Sequence, residues 1–228
     1  KDDVIKYYNE KLNKIIPTRN DISTPIECVT EMLQKIPKNF FTKQNITILD
    51  PCCGYGNFHV ILYYMLKNIG KQDKDILENI LYFNDINRKR LSKVKNIFQN
   101  NIYKLNISCE NFLDISTDNK YDLIVANPPY ATIMHNGDRA SKNHNLIPVF
   151  INKALDMLKP DGYILFITPD NWMSLADRNT ITKRLTSLQF IYLNIHLAKS
   201  YFKNVGSSFV WFLVKNSKKK SNSNIKVD

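Results

Sequence analysis

The chain has 228 residues, 43% of them hydrophobic and 23% charged, which is enough apolar material for a full core and excludes an intrinsically disordered chain. No apolar run approaches the roughly 20 residues that span a bilayer, and the opening KDDVIKYYNEKLNK is too polar for a signal peptide, so the expectation is an intracellular protein without a membrane partner. Lys and Arg number 32 against 21 Asp and Glu; the net charge of +11 suits a polyanion such as nucleic acid, and it equally describes a lysine-rich solvated surface.

The chain begins with Lys1 rather than Met, which reads as an excised segment, and residues 1–17 form an N-terminal extension. The pattern then predicts a helix at 25–36 and a strand at 46–50, followed by a helix at 57–69 and a strand at 80–84. A helix at 87–100 leads to strands at 105–109 and 121–126. Val149, Phe150, Ala154, Leu155 and Leu158 share one face of a helix at 148–158, which stops at the turn KPDG before a strand at 163–168. A helix over about 177–187 precedes strands at 190–196 and 209–214. Residues 216–228 read as a basic flexible tail. Alternating strands and helices imply crossovers and a mainly parallel sheet. The segment LAKSYFKNVGSS is too short for a helical crossover, so the last two strands pair antiparallel. The fold expected is α/β, a seven-stranded and mainly parallel sheet with helices on both faces and an antiparallel last strand.

Several strand ends carry residues of chemical interest. The first runs into DPCCGYGNF, with Asp50 at the carboxyl edge and Gly54 and Gly56 bracketing the turn into a helix. Glycines there let a ligand approach the backbone, although a tight turn alone would use them equally. Position 59 is His where a dinucleotide fingerprint has its third glycine, which argues against a nicotinamide site. The second strand ends in Asp85, placed to take the two hydroxyls of a ribose or, alternatively, to cap the helix from Ile86. Asn111 and Phe112 follow the third and could hydrogen-bond and stack an adenine. The fourth ends in NPPY. Two prolines donate no backbone N–H, so they stop the strand and fix the backbone where Asn127 and Tyr130 are presented. The cysteines (Cys28, Cys52, Cys53, Cys109) make no CxxC pair and the histidines no HxxxH or HExxH spacing, so neither metal nor disulfide is expected.

With STPIECVTEML, DPCCGYGNF, NPPY and SYFKNVGSSFVWFLV in this order, the sequence resembles the S-adenosylmethionine-dependent DNA amino-methyltransferases, in particular those that methylate N6 of adenine. The resemblance runs over residues 18–215, read as one catalytic domain of the class I methyltransferase, Rossmann-like type. It implies a cofactor site made of Thr24, Pro25, Asp50, Cys52, Gly54, Gly56, Asp85, Ile86, Asn111, Phe112 and Asn127. It also implies a catalytic motif of Asn127, Pro128, Pro129 and Tyr130, with Tyr130 and Phe202 stacking on the base and Phe209 as the alternative to Phe202. Position 111 departs from the pattern, being Asn where the family often has an acid; its carbonyl still accepts amino hydrogens. Cofactor motif before catalytic motif matches the subclass that carries its recognition domain at the C-terminus. No such domain is seen here, so one is missing, trimmed, or replaced by loops or a partner subunit.

The mechanism implied places the Asn127 side-chain carbonyl and the Pro128 backbone carbonyl against the two N6 hydrogens, localising the nitrogen lone pair for in-line methyl transfer. A base inside a duplex must be flipped out to reach such a site. Enzymes acting on ribosomal RNA adenine or on a protein glutamine amide carry the same motif, so the substrate stays open between these and DNA. A cytosine N4 substrate fits less well, since that subclass usually has Ser in place of Asn127. The reading from another class is a non-catalytic, cofactor-fold subunit of a nucleic-acid-binding complex. The insert at 131–145 reads as a solvated loop that could touch DNA.

Overall fold

The computed structural model describes residues 23–98, 101–130, 146–173, 180–195, 198–202, 208–218 and 226–227. The extension 1–17, the insert 131–145, residues 203–207 and His196 therefore lie outside the described residues. The chain divides into two compact units, Lys1–Asp114 and Ile115–Asp228. Among the described residues no helix is long and apolar enough to cross a membrane.

In the first unit, β1 (Ile48–Asp50), β2 (Leu81–Asn84) and β3 (Asn106–Ser108) run parallel in the order β3-β2-β1. Parallel neighbours require crossovers, and helices Asn57–Asn68 and Arg88–Ile97 lie in them. The first of these begins on Gly56, whose φ of +85° favours glycine; an added Cβ would also lie 3.3 Å from Phe98 Cε2. The second is capped by Asn87, whose side chain accepts from the N–H groups of Lys89 and Arg90. One turn differs from expectation: Ile76–Ile80 is a π-helix that buries Ile76, Leu77 and Ile80 directly before β2. His59 is fully buried, stacked on Phe83 at 3.8 Å, with Nε2 hydrogen-bonded to the Tyr82 carbonyl at 3.0 Å. Burial lowers its pKa to about 3, so at neutral pH it is an uncharged core ring.

In the second unit the strand order is β4 (Tyr121–Ala126), β5 (Leu158–Pro169), β7 (Phe209–Lys218), β6 (Leu188–Asn194) and β8 (Lys226–Val227). β4 and β5 are parallel, and β7 runs antiparallel to both β5 and β6, as the short connection before it requires. The segment KPDG does not end in a free turn. It is an irregularity inside β5, where Asp161 takes φ +60° and a Cβ on Gly162 would lie 3.0–3.1 Å from three backbone oxygens. That crowding is why a glycine stands at the point where the register shifts. β7 continues past position 215 to Lys218, and the two residues of β8 add a parallel partner to β6. Val210 to Val214 are fully buried, with Trp172 packed edge-on against Phe212 at 5.0 Å. The fold class is the expected one: α/β, mainly parallel, with a reversed last long strand.

Candidate active site

Within the first unit, three strand ends are tied together by one side chain that the sequence reading passed over. Asn84, 1% exposed, donates through Nδ2 to the carbonyls of Pro51 (2.9 Å) and Glu110 (3.0 Å). Its Oδ1 accepts from Ser108 Oγ (2.8 Å) and the Glu110 N–H (3.2 Å). All four hydrogen-bonding positions of the amide are filled, so a buried polar group becomes a rigid connector of the segments after β1, β2 and β3. The backbone adds to this: the Cys53 N–H donates to the Asn84 carbonyl at 2.8 Å.

Asp85 is the second connector. Its Oδ2 accepts from the Gly54 N–H (2.9 Å) and from Arg90 Nη1 (3.4 Å), and its Oδ1 from the Asn87 N–H (2.7 Å). The carboxylate is 2% exposed, and this pairing is what allows a charge to sit there. It does not cap the following helix, since that role falls to Asn87. A carboxylate offers about four acceptor positions, so one on Oδ1 is still open for a ligand hydroxyl. Asp50, also 2% exposed, accepts from the Cys52 N–H at 3.1 Å. Burial pushes its carboxyl well above the usual range; the Cys52 N–H opposes this and the charge of Asp85 adds to it. The thiols of Cys52 and Cys53 are likewise pushed up, by burial first and then by the two aspartates, so neither is a poised nucleophile.

Gly54 takes φ +56°, and nothing lies within 4 Å of the place a Cβ would occupy. That open backbone beside Asp85 is where a ligand can come close. Asn57, the first residue of its helix, donates through Nδ2 to Ser23 Oγ (2.8 Å) and to the Thr24 carbonyl (2.6 Å). It thereby brings Thr24, which is 4% exposed, and Pro25 to the glycine turn; Pro25 is the N-cap of helix Ile26–Gln34. Ile86 is 70% exposed directly after buried Asp85, an apolar face open to solvent beside a polar anchor. Cys109 sits against its backbone, donating to the Ile86 carbonyl at 3.8 Å. Asn111 is exposed and turns inward on its own loop, with Nδ2 donating to Asp114 Oδ2 (2.9 Å) and Oδ1 accepting from the Leu113 N–H (3.3 Å). Phe112 is buried at 2%, so the apolar surface presented at this rim is that of Ile86.

In the second unit, β4 ends as the prolines require. Asn127 is half-buried, Pro128 buried and Pro129 exposed. The Tyr130 hydroxyl reaches back and donates to Asn127 Oδ1 at 2.5 Å. The Tyr130 ring meets Phe209 edge-on at 5.6 Å, and Phe209 is stacked on Phe202 at 4.5 Å and 22°. Phe202 is 4% exposed and follows a short helix, Ala198–Tyr201, whose first N–H donates to the buried Oδ1 of Asn194 at 3.0 Å. The motif and the aromatic pair named from sequence therefore form one cluster, Asn127–Tyr130–Phe209–Phe202, with Asn194 as a support that had no signal beyond a polar residue at a strand end.

A model of the Eco57I restriction-modification methylase family matches residues 28–202. The type II methyltransferase M.VspI of Vibrio sp. (strain 343) is 26% identical over 198 residues, covering 82% of this chain and 46% of its own. The chain thus spans about half the length of that curated relative. Among solved structures, a protein of Listeria monocytogenes assigned as a class I S-adenosylmethionine-dependent methyltransferase superposes with a TM-score of 0.68 at 17% identity, over 99% of this chain and 70% of that one. A chain assigned as the modification subunit of a type I restriction enzyme from Vibrio vulnificus YJ016 gives 0.67 at 14% identity, over 94% and 48%.

Proposed function

The chain belongs to the Eco57I restriction-modification methylase family, and from that premise we propose that it transfers a methyl group from S-adenosylmethionine to N6 of an adenine flipped out of duplex DNA. The observation that carries the reading is the Asn127–Tyr130 pair at the end of β4, an amide oxygen and an aromatic ring held together by hydrogen bond and by proline.

The first unit fits the cofactor. Thr24 and Pro25, pinned by Asn57, would neighbour its methionine end, and the backbone around Asp50, Cys52, Gly54 and Gly56 would line its path. The open acceptor position of Asp85 suits a ribose hydroxyl, and the exposed face of Ile86 suits adenine, with Asn111 and Phe112 on the adjoining loop. When bound, S-adenosylmethionine supplies a methyl carried on a positively charged sulfur. The protein's part is to make N6 a nucleophile. Asn127 Oδ1 and the Pro128 carbonyl accept the two N6 hydrogens, which draws the nitrogen out of conjugation with the ring. The new N–C bond forms as the S–C bond breaks, and the displaced N6 proton passes to solvent. Asn127 accepts a hydrogen bond throughout and takes no proton. The Tyr130 ring holds one face of the base, worth about 1–3 kcal/mol, and Phe202 would hold the other. Phe202 is packed on Phe209 in the structure, so this second contact calls for it to turn toward the base.

The test is transfer of labelled methyl from S-adenosylmethionine to unmethylated duplex DNA, with total RNA in parallel and products digested to nucleosides. N6-methyladenine from DNA is the expected product. Label in RNA, or in protein glutamine, would replace the substrate, and cofactor binding without transfer to any of them would point to a non-catalytic subunit.

A further inference from the structure

Stacking on a base uses the ring of Tyr130 and leaves its hydroxyl without a role, yet that hydroxyl is engaged. It donates to Asn127 Oδ1 at 2.5 Å, the short end of the O–H···O range. The outer torsion of an asparagine is broad and roughly two-fold, so an untethered amide presents its oxygen or its –NH2 to the same place. The two ends are chemical opposites: the oxygen accepts from an amino group, whereas –NH2 meets it donor to donor.

We propose that the Tyr130 hydroxyl is a positioning group that pins the Asn127 amide by its oxygen and so sets the site for an exocyclic amino group rather than a keto group. The proposal rests on the reading of Asn127 as the acceptor for N6. A carbonyl oxygen has two lone pairs, so the hydroxyl fills one and leaves the other for the base. The loop between the two residues is stiff, because Pro128 and Pro129 have fixed φ and Pro128 is buried. The ring is also held laterally, edge-on against Phe209, which is stacked on Phe202. Ring and acceptor therefore form one rigid unit, and a base seated against the ring has its amino group at the acceptor.

The experiment is a cycle of Tyr130→Phe in two backgrounds, Asn127 and Asn127→Asp. A carboxylate has two equivalent oxygens, so it has no wrong end to present. In the Asn127 background, Tyr130→Phe should slow single-turnover methyl transfer about 3- to 10-fold, the size of one neutral hydrogen bond, with KM for DNA and Tm little changed. In the Asn127→Asp background the same change should cost no more than about twofold. An equal loss in both backgrounds, or none in the first, overturns the proposal. A second readout needs no turnover: in protein labelled with 15N-asparagine, the Asn127 side-chain signals should shift or broaden on Tyr130→Phe while those of Asn57 and Asn84 stay. Unchanged Asn127 signals overturn the positioning role whatever the substrate. Failure of the wild-type chain to methylate DNA bears on the proposed function instead.

Discussion

Gly54→Ala separates two reasons for a glycine that are usually confounded. Gly54 takes φ +56° and Gly70 takes φ +90°, and at neither does any atom lie within 4 Å of the position a Cβ would occupy. Alanine at either site therefore meets no clash in the protein and suffers the left-handed backbone penalty alone, about 1–2 kcal/mol. For a chain of this size that is a fall in Tm of about 2–8 °C, similar for both. The two sites differ in surroundings: Gly54 donates its N–H to Asp85 in the proposed cofactor site, whereas Gly70 lies just beyond helix Asn57–Asn68. If the cofactor runs along the Gly54 backbone, its new methyl occupies ligand space, and the Kd for S-adenosylmethionine should rise more than about tenfold, or 1.4 kcal/mol. Gly70→Ala should leave that Kd within about twofold. Isothermal titration of each variant, with a thermal melt alongside, measures both quantities. Equal Tm losses with unchanged Kd in both variants would refute the placement of the cofactor and reduce Gly54 to a turn residue.

Asn127→Ala should lower methyl transfer by more than about 100-fold while the Kd for S-adenosylmethionine holds, because it removes an acceptor aimed at developing charge; radiolabel transfer and titration together check it. Asp85→Ala strips the Gly54 and Asn87 N–H groups of their acceptor, so a loss of about 3 kcal/mol in stability and at least tenfold in cofactor affinity is expected, read by urea unfolding and titration. His59, with its pKa lowered to about 3 in the fold, contributes its full share of stability above the unfolded value of 6.5 and loses it progressively as pH falls toward 3. Its share of the loss between pH 7 and pH 5 is about 2 kcal/mol, and His59→Gln should remove that share from the difference between urea midpoints at the two pH values. Asn194→Ala should release the helix that leads to Phe202 and lower transfer several-fold without changing cofactor affinity, which a comparison of kcat with the cofactor Kd would show.

The strands were legible because each is a compact apolar run bounded by polar or turn residues, and the short link before Phe209 correctly announced a reversed last strand. KPDG was misread as a free turn because proline, aspartate and glycine together signal a break; the chain uses them for a bulge that keeps Leu158 paired with Tyr121. β8 was missed because a two-residue strand inside a Lys- and Ser-rich stretch has no periodicity to detect. At the candidate site, the motif residues stood out by type and order. Their partners did not. Asp85 meets Gly54 across 31 residues of sequence, and Asn84 meets Pro51 across 33, contacts that no local pattern encodes. The choice between Asp85 as helix cap and Asp85 as ligand residue also needed the structure, which gives the cap to Asn87 and leaves Asp85 holding the glycine turn.

The four filled positions of Asn84 mean that the segments after β1, β2 and β3 are not free to vary one at a time. A change that shifts Pro51 alters the geometry available to Glu110 and Ser108 through a single amide, so substitutions in these segments should combine non-additively although they are far apart in sequence. Engineering a different cofactor preference here would therefore have to redesign three loops together, with Asn84 as the fixed point around which they are drawn.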